Sequence, residues 1–348
     1  MSHPQHLPTR QLGKDGPQVP SLGFGLMELS IGYGGKAPLD EERNKVLDHA
    51  WKLGTTFWDT AAAYGDNEVF IGKWLKLHPE RRQDIFLATK FGLGAKLGGD
   101  GKVKMSIDSS PENCRKSCEQ SLKNLGVEFV DLFYVHRFDS VTPVEKTMEM
   151  LVELKKEGKI KNIGFSECSS DTLRRGYAIH PISAVQIEFN PWSLDIENEA
   201  GTNLLSTCRE LGVAVVTYSP LGRGFLTGRY KSLDDFDEKD TRRQLPRFSA
   251  ENFSKNLDLV SIFENLAAQK GCTPAQVVLG WIMGQGPDFF PIPGTKQIRY
   301  LEQNLGAVDV KISPEEDRHI RDTIISMGGA SGERTVAMAN AFADTAPL

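Results

Sequence analysis

The stretch Thr55-Thr-Phe-Trp-Asp59-Thr-Ala-Ala-Ala-Tyr64-Gly65 joins a short β-type run to a loop of small residues and a turn. β-Branched and aromatic residues favour a buried strand over Thr55–Trp58, and Asp59 ends it. Five residues later the loop delivers a phenol, Tyr64, beside the turn at Gly65. Upstream, Val46, Leu47, Ala50 and Leu53 recur at helical spacing and stop at Gly54; downstream, a helix is predicted around Glu68–Lys76. A strand fed by one helix and followed by another is the unit of a parallel sheet. An Asp after a strand is equally a turn former or helix cap. What the stretch does therefore depends on what other units bring to the same edge.

Outward from it the unit repeats. Leu7 to Val19 reads as a hairpin turning at Lys14-Asp15-Gly16, and Val19 to Leu26 as a strand with glycines. Strand Asp84–Thr89 ends at Lys90; after a Gly-rich loop, Ser110-Pro111-Glu112 opens a helix to Leu125, with proline at its first position. Strand Val130–Val135 ends in His136 and is followed by helix Pro143–Glu157. Strand Ile160–Phe165 ends in Ser166, before helix Ser170–Ile179. Strand Ser183–Phe189 contains Gln186 and leads to helix Glu199–Leu211; strand Val213–Tyr218 runs into Ser219-Pro-Leu-Gly-Arg-Gly224. The polar segment that follows, to about Asn252, exceeds an ordinary connection and reads as a functional cover. Helices Leu257–Gln269 and Thr273–Met283, strand Phe289–Pro291 and helix Gln297–Leu305 complete the series. Ser313-Pro-Glu-Glu caps one more helix, and Met327–Leu348 is a small-residue tail expected to be only partly ordered.

Eight such units predict a (β/α)8 TIM barrel, an α/β fold. The chain reads as one domain: a hairpin over 7–19, the barrel over 20–310 with a long loop after strand 7, and a C-terminal helix and tail over 311–348. An open dinucleotide-binding sheet would need a glycine fingerprint, and both Gly92-Leu-Gly94 and Gly222-Arg-Gly224 lack the third glycine.

Of the 348 residues, 39% are hydrophobic and 25% charged, an ordinary globular balance. A net charge of −5 gives no electrostatic case for nucleic acid or an anionic membrane. No apolar run suits a signal peptide or a membrane span. The five cysteines (114, 118, 168, 208 and 272) are scattered and no metal site is expected. The expected protein is soluble, cytoplasmic and reduced.

In such a barrel, reactive residues sit at the carboxyl ends of strands. Those ends offer Asp59 and Tyr64, Lys90, His136, Ser166, Gln186 and Tyr218. Each alone has a bland alternative: a solvated lysine, a core histidine, a rim aromatic, a cap. Together they suit proton delivery. An ammonium beside a phenol favours the phenolate, a carboxylate holds the ammonium in place, and an imidazole fixes a carbonyl oxygen. Lys90, Tyr64, Asp59 and His136 can take these parts.

The motifs Phe57-Trp-Asp59-Thr-Ala…Tyr64-Gly65, Ala88-Thr-Lys90, Tyr134-Val-His136-Arg and Tyr218-Ser-Pro-Leu-Gly222 resemble those of the aldo-keto reductases. The likeness runs from Gly23-Phe-Gly25 to Asn304. Within the family the chain is most similar to the microbial (fungal and bacterial) branch with Ile292-Pro-Gly-Thr295 and a long loop like Arg242-Arg-Gln-Leu-Pro-Arg-Phe248. The resemblance implies reduction of a small aldehyde or ketone by NADPH, with Tyr64 as general acid, Lys90 and Asp59 as its support and His136 orienting the carbonyl. It implies that Tyr218 stacks on the nicotinamide, that Ser166 and Gln186 bind its carboxamide, that Leu221, Gly222 and Gly224 bind the pyrophosphate, and that Ser219 and Gly294 also contact the cofactor. Thr295, Lys296 and Arg299 would take the adenosine phosphate, and Gln303 and Asn304 the adenine. Two cations and no acid near the 2′ position favour NADP over NAD.

Two departures from the family pattern stand out: Glu167 where Asn is common, and Gln303 where Glu is usual. Glu167 is left out of the carboxamide contacts. Met27, Trp192 and Phe225 are placed to line an apolar substrate pocket, or to pack at its rim. A competing reading is an NADP(H)-binding regulatory subunit like the potassium-channel β subunits, which resemble this family. An isomerase or lyase would need a different set of acids and bases. Oligomeric state is left open.

Overall fold

The computed structural model describes residues 6–34, 37–97, 103–334 and 341–348. Strands β1 (Thr9–Gln11) and β2 (Gln18–Pro20) form the antiparallel N-terminal hairpin. Then come β3 (Phe24–Gly25), β4 (Phe57–Asp59), β5 (Phe86–Phe91) and a two-stranded insertion, β6 (Leu93–Leu97) with β7 (Val103–Ile107). β8 (Val130–Val135), β9 (Ile160–Ser166), β10 (Ala184–Glu188), β11 (Ala214–Tyr218) and β12 (Phe289–Pro291) follow. β3, β4, β5 and β8 to β12 make one parallel eight-stranded sheet in chain order. Its two ends meet. The Gly23 N–H donates to Pro291 O, the Gly25 N–H donates to Pro293 O, and Gly25 bridges Gly294 in parallel. That seam needs glycine on both sides, because a Cβ on Gly25 or Gly294 would lie 2.8 Å from a carbonyl oxygen across it.

Helices α1 (Asp40–Lys52), α2 (Asn67–Leu77), α3 (Pro111–Leu125), α4 (Val144–Lys156), α5 (Ser170–Ile179) and α6 (Leu204–Leu211) pack outside the barrel, with α7 (Ala250–Lys270), α8 (Pro274–Gly284), α9 (Ile298–Leu305) and α10 (Pro314–Ser326). Ser110 accepts the Asn113 N–H at the start of α3, and Ser313 and Glu316 form the capping box of α10. Some boundaries differ from expectation. α6 starts at Leu204 rather than Glu199, because Thr202 and Asn203 turn left-handed (φ 57 and 53) just ahead of it. α7 starts well before Leu257, capped by Ser249. Residues Gln18–Pro20 belong to the hairpin, which shortens the first barrel strand, and the Gly-rich loop after β5 contains β6 and β7.

Two apolar layers hold the barrel. Most of the core lies between sheet and helices; a separate cluster fills the interior with Phe57, Ala88, Leu132, Tyr134, Ala184, Ala214, Val216 and Phe290. Leu12 and Val19 of the hairpin join that interior cluster, and Lys14 N–H donates to Gly212 O just before β11. The hairpin therefore plugs the end where strands begin and leaves their carboxyl ends open.

Candidate active site

Side chains on a strand alternate faces, so the residue two beyond an inward residue also points inward. Phe57 predicts Asp59, Ala88 predicts Lys90, Tyr134 predicts His136, Ala184 predicts Gln186 and Val216 predicts Tyr218. All but Lys90 line one cavity of about 870 Å³ at the open end of the barrel, together with Ser166 and Tyr64. Lys90 sits just beneath, fully buried. The loop that carries Tyr64 is stitched to β5: Thr60 N–H donates to Ala88 O and Ala62 N–H to Lys90 O.

Lys90 Nζ lies 2.5 Å from Asp59 Oδ1 and donates to Thr60 O at 2.8 Å. Its ammonium is 5.1 Å from the centre of the Tyr64 ring. Gln186 Nε2 donates to the other Asp59 oxygen at 2.7 Å. Burial drives the Asp59 carboxyl upward, against the pull of Lys90 and Gln186; both oxygens of the carboxylate form are thereby satisfied. The Tyr64 and His136 rings meet edge to face, centres 5.8 Å apart. Burial first, then the Arg137 and Lys90 charges, hold His136 well below the usual imidazole range, so the ring is neutral. Its Nδ1 is buried without a hydrogen-bond partner among the described residues.

Along the same cavity run Ser219, Leu221, Gly224, Gly294, Thr295, Lys296, Gln303 and Asn304. Gly222 and Gly224 have φ of 55 and 91, a backbone that suits glycine; their N–H groups donate to Ser219 O and Leu221 O within the turn, and Gly222 stands outside the cavity lining. Arg299 stands apart from the cavity lining, its guanidinium donating to Gln297 Oε1 and to the Tyr300 hydroxyl, both at 2.9 Å. Met27 lines the cavity as expected. Trp192 and Phe225 instead pack on each other, 4.5 Å between ring centres, and on Phe248. Their apolar faces are consumed by that core.

Several cavity residues have no role assigned from sequence: Glu28, Tyr33, Arg137, Arg229, Arg242 and Arg334; Glu167, a departure from the family pattern, enters the wall beside Ser166. Glu28 is pushed up by burial, against the opposing charges of Arg242, Lys296 and Arg229. The segment after β11 crosses the cavity mouth to reach Tyr33. Thr241 N–H and Oγ1 both donate to Tyr33 O, at 2.7 and 3.0 Å, and the Arg242 guanidinium lies over the Tyr33 and Tyr230 rings. Arg137 donates to Ser166 Oγ at 3.2 Å. These residues carry no local sequence signal, since their meaning comes from loops meeting across the mouth.

The chain is similar to known proteins over nearly its whole length. The chain is 47% identical over 346 residues to aldo-keto reductase str7 of Strobilurus tenacellus, covering 98% of this chain and 99% of that protein. It is 49% identical over 320 residues to aldo-keto reductase yakc of Schizosaccharomyces pombe, a protein whose name specifies NADP(+), with 91% of each covered. Among solved structures, the glycerol dehydrogenase AKR11B4 of Gluconobacter oxydans superposes with a TM-score of 0.80 at 25% identity, over 98% of each chain. The Aldo/keto reductase family model matches residues 21–325, from the seam before β3 into α10. With a family model matching most of the chain, whole-length relatives and a shared barrel, the chain belongs to the aldo/keto reductase family.

Proposed function

We propose that the protein is an NADP-dependent oxidoreductase that reduces a small aldehyde or ketone to the alcohol. The observation that carries this reading is the buried Asp59–Lys90 pair set beneath Tyr64, with a neutral His136 beside it, all at the head of one long cavity. Residues farther along suit the cofactor: a positive-φ turn at Gly222 and Gly224, then Arg229, Arg242 and Lys296 as cations for phosphates. The fission-yeast relative named for NADP(+) supports the same choice.

Bound NADPH supplies the hydride to the carbonyl carbon. The chain's own residues do the rest. His136, uncharged and shut off at Nδ1, donates through Nε2–H to the carbonyl oxygen and orients it. Tyr64 then gives its proton to that oxygen as negative charge builds there; the Lys90 ammonium stabilises the phenolate left behind, and Asp59 keeps Lys90 aimed. Gln186 has its Nε2 committed to Asp59, which leaves its amide oxygen to accept from the carboxamide, and Ser166 keeps its own hydroxyl proton to donate. Tyr218 offers its ring to the nicotinamide. Ser219, Leu221 and Gly224 would hold the pyrophosphate, with Gly222 shaping their turn; Gly294, Thr295, Lys296 and Arg299 would hold the 2′-phosphate, and Gln303 and Asn304 the adenine.

The five cysteines are free, which fits a reducing compartment, and we place the protein in the cytoplasm. Among the described residues no helix is long and apolar enough to cross a membrane. An NADPH-oxidation screen over short aliphatic, aromatic and pyridoxal-type aldehydes and quinones tests the function. Turnover of at least one class is expected. Tight NADPH binding with no turnover of any class would contradict it and favour a regulatory subunit.

A further inference from the structure

Glu167 follows Ser166 at the end of β9 and turns the chain left-handed, with φ of 52. Its side chain is 1% exposed, yet its carboxylate is densely partnered. Oε1 accepts the Tyr218 hydroxyl at 2.8 Å and Arg334 Nη1 at 3.0 Å, and Oε2 accepts Arg334 Nη2 at 2.6 Å. Arg334 arrives from beyond α10, is 2% exposed and stands 3.7 Å from Glu188 as well. Its guanidinium is driven well above the usual arginine range by those acids, despite burial. The same C-terminal segment returns at Ala343, whose N–H donates to Glu167 O and whose carbonyl accepts the Ser169 N–H. Tail and strand end are thus tied by backbone and by charge.

A tyrosine hydroxyl needs only one neutral acceptor. Burying a carboxylate for it, and carrying a guanidinium across from the C-terminus to balance it, is costly by comparison, since an apolar or neutral pair of similar volume is often at least as stable. The charges therefore call for a role beyond stability.

We propose that Arg334 and Glu167 are a positioning pair for the nicotinamide end of the site, fixing Tyr218 and setting the relative affinity for oxidised and reduced cofactor. The inference rests on reading the cavity as the NADP(H) site with Tyr218 at the nicotinamide. The oxidised ring carries a positive charge that the reduced ring lacks. A cation near it disfavours NADP+, and an anion favours it. Arg137, Arg223 and Glu188 also stand in this wall, so the absolute potential is a sum, but the sign of a change depends only on which charge is removed.

The test is fluorescence titration of NADP+ and NADPH into the full-length protein and its Arg334→Gln, Arg334→Lys and Glu167→Gln variants. Arg334→Gln should shift the ratio of the two dissociation constants by about tenfold towards NADP+ binding. Glu167→Gln should shift it the other way. Arg334→Lys, which keeps the charge but loses the fork, should hold the ratio within about twofold even where both affinities fall. Should one charge-removing variant fail to fold, the sign found in the other decides. Parallel losses of both affinities with unchanged ratios would reduce the pair to a structural clamp and overturn the inference. Failure of the parent protein to bind either nucleotide would instead overturn the cofactor reading beneath it.

Discussion

His136 is a base kept from protonating by its surroundings, and that has a consequence for stability as well as chemistry. The unfolded chain takes a proton on this imidazole below about pH 6.5; the folded chain, with its pKa depressed, does not. The unfolded state then binds more protons, so stability falls as pH drops through that window, with a slope of up to about 1.4 kcal/mol per pH unit from this group. Urea unfolding between pH 7.5 and 5.5 should show a shallower acid slope in His136→Asn than in the parent; equal slopes would mean the ring is protonated in both states. At the other end of the cavity, Lys296→Ala should weaken NADPH binding by about ten- to a hundredfold, the worth of a charge-assisted hydrogen bond. NADH binding should change little, and equal losses for both would remove Lys296 from the 2′-phosphate. The residues that sequence identified are those a strand presents by alternation. Asp59, Lys90, His136, Gln186 and Tyr218 each stand two positions beyond an apolar residue that the barrel interior demands. Arg334 could not be read that way. Its partner Glu167 is distant in the chain, and only the folded tail brings the two together.

Elements were legible where hydrophobic period and caps agreed, and obscure where small or polar residues carried the structure. The eight barrel strands and the starts of α3, α8 and α10 follow from apolar runs and from the Ser-Pro or Thr-Pro caps. The β6–β7 hairpin lay hidden in a glycine-rich stretch. It sends Leu93, Met105 and Ile107 into the cavity wall, with Met105 70% exposed at the mouth. Met105→Asp should raise KM for apolar carbonyl substrates by about tenfold while leaving NADPH affinity unchanged; a parallel loss of NADPH affinity would place the hairpin on the cofactor side. Within the barrel, Gly164 on β9 leaves space for the Tyr134 ring, since a Cβ there would sit 2.4 Å from the ring carbons. Gly164→Ala should cost about 1–3 kcal/mol by overpacking, read by urea unfolding. An unchanged midpoint would mean that the ring has room to move.

At the scale of the molecule, the hairpin plugs one end of the barrel, the segment after β11 spans the other, and the C-terminal segment ties itself to β9. At the open end five strands deliver polar side chains into a common space, with Lys90 of a sixth just beneath. The family, the fold and the strand-end residues were within reach of sequence because each depends on local pattern repeated along the chain. The roof and the tail were not, because Thr241–Tyr33 and Arg334–Glu167 join segments whose approach depends on the completed barrel. The central claim is that Tyr64 gives the proton, with Lys90 and Asp59 behind it. Its most direct test is carbonyl-dependent NADPH oxidation by Tyr64→Phe, measured with NADPH binding by titration on the same protein. Tyr64→Phe should lower kcat by about a hundred- to ten-thousandfold, the usual worth of a general acid, with NADPH affinity retained. Turnover within a few-fold of the parent would contradict it.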